Sequence, residues 1–514
     1  MDHQRPHFLF LPREIRDLIY CDYLRMGTED GYTYDFEAGK LRTADKQPID
    51  LSLMYTCRLV ANEMRGLPLR LHRITFTTLY SDELRLRAGR WAYLMHLAEK
   101  TLYDTLREVA HRMSPGMARE VAQRYSGTFF YRVFQHMRDE DHWGYGGPPH
   151  WGQVPSSHRE IVSQVLRLAS TDPQIYAWMS EETWTIEDEE RKPVRIIQPF
   201  DFAVELNMVE KPWRIPTDAE MDTIVKEGFP HWPDPRFEDK KMSSEYWKSD
   251  RGKYRFSAAA AAVHFLESVP DSTRQQIRNI TLLEDRLSVA FPACHAKGLV
   301  PFCLENPELR IDRHVSLWKN VFLGSRWAAD YGHVLAAWVE LDTGFVDTEL
   351  WEENATMPVA EWMVEASIPI LPTAISLVLD GNPTPEQTAE VFRNTVQRDA
   401  AWQRALDKAF APGSSDDEDV YRRRCAKPWH FERFPEILEA LCNHDPLSRV
   451  SCNFQTGTPW DESQLNEIIE ANRGLEEVTD WHDEWEKSAS SGYPPAPPLP
   501  SWQDLLKENL LPEA

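Results

Sequence analysis

The sequence predicts an α+β fold that is mainly α-helical, with small antiparallel sheets and a helical module at its N-terminus. Three observations lead there. Apolar residues recur at three- and four-residue spacing through much of the chain, most clearly between Trp91 and Met113. Alternating, strand-like stretches are short and scattered. The aromatic content (Trp 19, Phe 22, Tyr 17) is large enough to build a sizeable core, which disordered chains cannot do.

Residues 11–24 read as a helix, because Pro12 suits a first turn and Ile15, Leu18, Ile19 and Tyr23 follow a helical stripe. Residues 31–43 alternate Tyr32, Tyr34 and Phe36 before a turn at Ala38-Gly39, as a hairpin would. A second helix over 51–65 puts Leu53, Met54, Cys57, Val60, Ala61 and Met64 on one side. Residues 70–79 are rich in β-branched residues and read as a strand. From Ser81 to Met113, Trp91, Leu94, Ala98, Leu102, Leu106 and Val109 hold helical spacing until Ser114-Pro115-Gly116 ends it. Such a stripe is a buried core face or a groove for a partner.

Residues 139–158 break regular structure, and a helix follows over 158–170. Trp184 to Met208 reads as strand, acidic turn and strand, with Phe200, Phe202, Val204, Leu206 and Met208 alternating. After an irregular stretch at 229–253, Ser257 opens a helix closed by Pro270-Asp271; a short helix and a strand over 277–283 come next. Further helices are expected at 315–340, 386–410, 433–443 and 461–472. The run 411–424, small residues and then an acidic cluster and three arginines, reads as a flexible linker. Tyr493 to Pro500 favours polyproline II, as a stiff spacer or a ligand for an aromatic groove. Ser501 and Asp504 then cap a last amphipathic turn carrying Trp502, Leu505, Leu506 and Leu510. The chain thus divides into an N-terminal module with an inserted hairpin (1–80), a long helix with a mixed region (81–253), a mainly helical α+β region (254–410), the acidic linker (411–424), a C-terminal helical region (425–492) and a Pro-rich tail with a terminal helix (493–514).

Composition narrows the function. The 82 acidic residues outnumber 57 basic ones, giving a net charge of −25, which repels phosphate backbones and anionic lipid surfaces; neither nucleic acid nor membrane is expected as a partner. No stretch approaches the roughly 18 apolar residues of a spanning helix. The N-terminus does not read as a secretory signal. The seven cysteines are odd in number, scattered and without a Cys-x-x-Cys pair, as reduced thiols of cytoplasm or nucleus would be.

Signatures of common chemistries are missing. There is no Gly-x-x-x-x-Gly-Lys-Ser/Thr phosphate cradle, no dinucleotide fingerprint, no Gly-x-Ser-x-Gly elbow and no His-Glu-x-x-His helix. No cofactor is implied. His142, His150 and His158 recur too widely for a metal site, and Cys294-His295 with Cys303, or Cys442 with His444 and Cys452, are equally loose. His-Trp neighbours at 142–143, 150–151, 231–232, 429–430 and 481–482 suit either a recognition surface or internal packing.

One stretch resembles a known family. Leu11-Pro12-Arg13-Glu14-Ile15-Arg16-Asp17-Leu18-Ile19-Tyr20, with Tyr23-Leu24, is similar to the opening helix of F-box and fungal F-box-like proteins. Leu53 to Glu63, carrying Thr56-Cys57-Arg58 and Glu63, resembles the Leu-x-x-Thr-Cys-Arg-x-x-x-x-Glu helix of the same group; Ile74-Thr75-Phe76 and, farther on, Phe265 to Pro270 with Arg278 to Leu282 resemble later elements. The hairpin-like insertion between the two helices, where an F-box has a short turn, makes the fungal F-box-like group the nearer likeness. The resemblance implies docking to the Skp-type adaptor of a cullin–RING ubiquitin ligase, with Leu11, Pro12, Ile15, Ile19 and Leu24 facing the adaptor and the rest of the chain holding a substrate. The alternative for these residues is that they close the protein's own core. The expected function is a non-enzymatic interaction protein, a substrate receptor or scaffold. An enzyme with a distributed site and a structural subunit of a larger complex are the other readings.

Overall fold

The computed structural model describes residues 8–26, 31–139, 152–181, 184–187, 193–197, 210–228, 252–324, 348–410, 430–475, 478–489 and 491–512. Their strands are β1 (Tyr32–Asp35), β2 (Lys40–Thr43), β3 (Arg73–Thr77), β4 (Trp184–Glu187), β5 (Pro193–Ile197), β6 (Asn279–Glu284), β7 (Arg310–Ser316), β8 (Leu350–Trp351), β9 (Ile375–Asp380), β10 (Val450–Cys452) and β11 (Gly492–Tyr493). Seven of them build one sheet in the order β10-β9-β7-β6-β3-β1-β2, parallel throughout except for the β1–β2 hairpin. The pairs β4–β5 and β8–β11 are small and antiparallel.

This corrects the expected fold class. The protein is a mixed α/β protein around a mostly parallel sheet, not a mainly helical one with small antiparallel sheets. The expected helix over 315–340 is corrected with it: its first residues finish β7, and a 3-10 turn follows at Val321–Gly324. Residues 325–340 lie outside the described residues, as do Phe200 to Met208 and the 411–424 linker.

The order of the strands has a physical consequence. From β1 through β3, β6, β7 and β9 to β10, each new parallel strand is laid on the same side of the one before. Crossovers between parallel strands are right-handed almost without exception. Repeated in one direction, that hand favours one face for successive crossovers. Burial agrees. Ile74, Ile280, Ile311 and Ile375 form one buried row across four strands, and Phe76, Leu282, Arg313, Leu377 and Val450 form the next. On this face the helix Ala258–Ser268 packs against β3 and β6, and the helix Thr356–Ala366 packs against β9.

The face also holds a buried ion pair. Arg313 donates to Glu284 Oε1 through Nε (3.0 Å) and Nη2 (2.8 Å), and both side chains are buried. The same carboxylate accepts the amides of Ala258 (3.0 Å) and Ala259 (3.2 Å), so it closes the N-terminus of the 258–268 helix. Arg313 reaches the carbonyls of Ala293 and Pro292 as well, and stacks 4.3 Å over the Trp362 ring.

Outside the sheet, the helix Asp82–Arg112 starts where Ser81 caps the amide of Leu84. Its whole stripe, Trp91 to Val109, is buried against the helices Phe129–Asp139 and Pro155–Ala169. A second core gathers Trp402, Leu406, Leu465, Trp481 and Trp485, and its helices Gln397–Ala409 and Glu462–Ala471 pack together. The Pro-rich tail is neither spacer nor free ligand. Gln387 donates to the Pro494 carbonyl (2.7 Å) and accepts from the Ala496 amide (2.9 Å), while Trp502 and Leu505 enter the main core. Among the described residues, no helix is long and apolar enough to cross a membrane.

Candidate docking site

The two segments that carry the F-box-like pattern meet in a small helical unit with its own core. Helix Arg13–Arg25 is followed, beyond the hairpin, by a 3-10 turn at Ser52–Tyr55 and the helices Arg58–Glu63 and Leu67–Leu71. Tyr20, Leu24, Val60 and Met64 form the centre, packed by Phe8, Tyr23, Leu53, Met54 and Leu67. One carboxylate joins the segments. Glu63, its side chain only 6% exposed, accepts from Arg16 Nη2 (2.5 Å) and Nε (3.0 Å) and from the Tyr20 hydroxyl (2.7 Å); Arg13 Nη1 lies 3.0 Å away. The Arg16 and Tyr20 hydrogen bonds pull the Glu63 carboxyl down to about 2. Glu63 is the last residue of the second motif and Arg16 lies within the first, so the pattern records a tertiary contact.

With Arg16, Tyr20 and Leu24 turned inward, the opposite side of the first helix faces solvent. That side carries apolar residues beside the exposed Glu14, Asp22 and Arg25. Ile15 is 43% exposed, Leu18 62% and Ile19 38%, and Phe10 just before the helix is 85% exposed. Pro12 is exposed and Leu11 partly so. Tyr55 and Leu59, on the second motif segment, are exposed too. Of the residues expected to face a partner, the structure therefore leaves Leu11, Pro12, Ile15 and Ile19 accessible. Leu24 is corrected: at 3% exposure it belongs to the unit's own core. Leu18, Phe10, Tyr55 and Leu59 were missed. Helical spacing marks Leu18 as a neighbour of Ile15, and the Phe8-Leu9-Phe10 run is apolar enough to have drawn notice.

The insertion between the motif helices has a structural role. Its strands β1 and β2 form one end of the central sheet, β1 pairing with β3. His72 ties unit and sheet together: its Nε2 lies 3.0 Å from the Leu24 carbonyl, and its ring is 4.8 Å from that of Tyr32.

The Ser257–His295 pair and Cys294 are committed to structure. Ser257 Oγ lies 2.7 Å from His295 Nδ1, but this hydroxyl also caps the Ala260 amide, and His295 Nε2 is 2.6 Å from the Ala290 carbonyl. Both residues are buried, and burial pushes the His295 imidazole down to about 3. A general base needs a free nitrogen and an accessible proton to take. Neighbouring Cys294 donates to the Phe291 carbonyl (3.1 Å) and accepts from Arg159 (3.3 Å), with burial raising its thiol to about 11, the opposite of an activated nucleophile. Among the described residues no group of histidine, cysteine and carboxylate side chains could hold a metal. Of the His-Trp neighbours, Trp481 and His430 are buried, and His430 stacks on Phe129 at 4.8 Å; positions 142–143, 150–151 and 231–232 lie outside the described residues.

Compared with known proteins, the chain matches no protein-family model, no curated protein and no solved structure.

Proposed function

We propose that this is a non-enzymatic docking protein whose N-terminal unit, residues 8–71, seats on the Skp-type adaptor of a cullin–RING ubiquitin ligase. The observation that carries the reading is the helix Arg13–Arg25, which exposes apolar side chains as well as burying them. One side fills the unit's core, while Ile15, Leu18 and Ile19 remain 43%, 62% and 38% exposed. Water-facing apolar side chains add no stability, and burying such a side chain is worth about 1.5–3 kcal/mol. A partner that covers three of them has a strong hold. The resemblance of this segment to F-box-like helices names the adaptor, and a substrate or second partner is left to the rest of the chain.

The test is binding of the purified full chain to a purified Skp-type adaptor, followed by calorimetry. A complex is expected with the native chain, and Ile15→Asp with Ile19→Asp should weaken it by about 100-fold or more, the loss of two buried side chains. Both positions face solvent, so circular dichroism should be unchanged. No complex with the native chain, or equal binding by the folded double variant, would overturn the proposal.

A further inference from the structure

The described helices that pack on the sheet, Ala258–Ser268 and Thr356–Ala366, lie on one of its faces. Parallel sheets are ordinarily covered on both faces, and among the described strands the other face carries residues that are mostly exposed or half-buried. On that face the side chains stand in rows set by the strand register. Arg73, Asn279 and Arg310 form the first row, and all three are exposed. Thr33, Thr75, Thr281, Asp312 and Ser376 form the second, in which the Ser376 hydroxyl donates to Asp312 (2.9 Å). Thr77, Leu283, His314, Val378 and Ser451 form the third.

We infer that this face binds an extended, acidic protein segment running across the strands. The rows offer hydroxyl, amide and imidazole groups that bond a peptide's polar atoms without requiring a deep pocket. Charge in the first row selects the acidic partner, since that row holds two arginines and no carboxylate, while Asp312 in the next row is bonded by Ser376. In a chain of net charge −25, Arg73 and Arg310 stand in one exposed row with no carboxylate partner among the described residues; Arg310 spends one nitrogen on the carbonyls of Pro307 and Leu309. Strands about 4.8 Å apart separate these two guanidinium-bearing positions by roughly 10 Å, the reach of acidic side chains a few residues apart at about 3.3 Å per residue. Seven strands make the face about 29 Å wide, the length of an extended segment of about nine residues.

The inference is independent of the adaptor proposal. The test probes the full chain with fluorescent extended peptides of about nine residues that carry no acidic residues, aspartates and glutamates, or phosphoserines, alongside a single-stranded DNA of similar length. The native chain is expected to prefer the Asp- and Glu-bearing peptides over the neutral ones. Arg73→Glu with Arg310→Glu should weaken them by about tenfold or more while leaving the fold intact, and Ile15→Asp with Ile19→Asp should change nothing. Neutral peptides binding as well as acidic ones, or unchanged affinity in the Arg73/Arg310 variant, would overturn the inference. So would phosphopeptide or DNA binding more tightly than the carboxylate peptides, since that marks a general anion site.

Discussion

Replacing Glu284 by alanine should cost more stability than almost any other single change outside the large apolar residues. The side chain is wholly buried and serves three donors: the Arg313 guanidinium and the amides of Ala258 and Ala259. Removing it leaves a buried guanidinium without its counter-ion, a loss that runs to about 3–5 kcal/mol. Each amide stranded at the helix N-terminus adds about 1–3 kcal/mol where no other acceptor reaches it. These penalties overlap, because the same local rearrangement relieves both, and about 4–6 kcal/mol is the expected total. Native domains hold only about 5–15 kcal/mol in all. With a urea slope of about 2–3 kcal/mol per M, the unfolding midpoint should fall by about 2 M. Glu284→Gln keeps an acceptor for one amide and should lose about half as much. The assay is urea unfolding of the native chain and both variants, followed by far-ultraviolet circular dichroism and by tryptophan fluorescence. Coincident curves from the two probes are required before a midpoint is read as a free energy. A loss below about 1 kcal/mol for Glu284→Ala, or equal losses for the two variants, would refute the reasoning.

Acid should loosen the N-terminal unit through Glu63. Its folded carboxyl titrates near 2, below the roughly 4.3 of an unfolded glutamate, so its stabilisation is complete above about 4.3 and is lost as the pH falls toward 2. Protection factors across residues 8–71, that is, exchange corrected for the intrinsic rate at each pH, should therefore fall between pH 5 and 2 more steeply in the native chain than in Glu63→Gln, which carries no charge to lose. Trp91→Ala, in a fully buried side chain whose indole donates to the Pro212 carbonyl (3.0 Å), should cost about 3–5 kcal/mol by thermal or urea unfolding. Leu18→Asp should leave stability within about 0.5 kcal/mol of native, because most of the side chain already faces solvent. Removing residues 491–514 should destabilise the body, since Trp502, Leu505 and the Tyr493 hydroxyl, 2.9 Å from Thr395, all leave buried positions; protease resistance of the truncated chain would read it.

The helices were legible and the sheet was not, for a physical reason. A helix satisfies its own backbone within a few residues, so its period is written locally; the stripe from Trp91 to Val109 could be read directly. A parallel strand leaves its backbone bonds to a strand a crossover away. Ile74, Ile280, Ile311 and Ile375 lie side by side, yet nothing in their local sequence says so. The hairpin of β1 and β2, β3 and β6 read as strands, but β7 was disguised as well. In β7 the inward row runs Ile311, Arg313, Val315, and an arginine there breaks the apolar alternation by which a half-buried strand is recognised. It is tolerated only because Glu284 lies on the next strand, a fact the sequence holds in two places 29 residues apart.

The docking unit shows the same limit at smaller scale. Leu18 and Leu24 are both apolar positions on one helix, and helical spacing alone cannot say which turns inward. The decision rests with Arg16 and Tyr20, which bond Glu63 and so turn Leu24 into the core and Leu18 to solvent. The hairpin adds a second constraint. An insertion between the motif helices reads as a departure from the F-box pattern, yet its strand β1 pairs with β3, and β3 follows directly after the unit's last helix. The helical unit is thus held to the sheet at three chain connections, before β1, after β2 and before β3, and by the His72 contact to Leu24. An adaptor seated on Ile15 and Ile19 and a segment lying across Arg73 and Arg310 would therefore meet on one rigid support, in which Arg73 opens the strand that follows the docking unit.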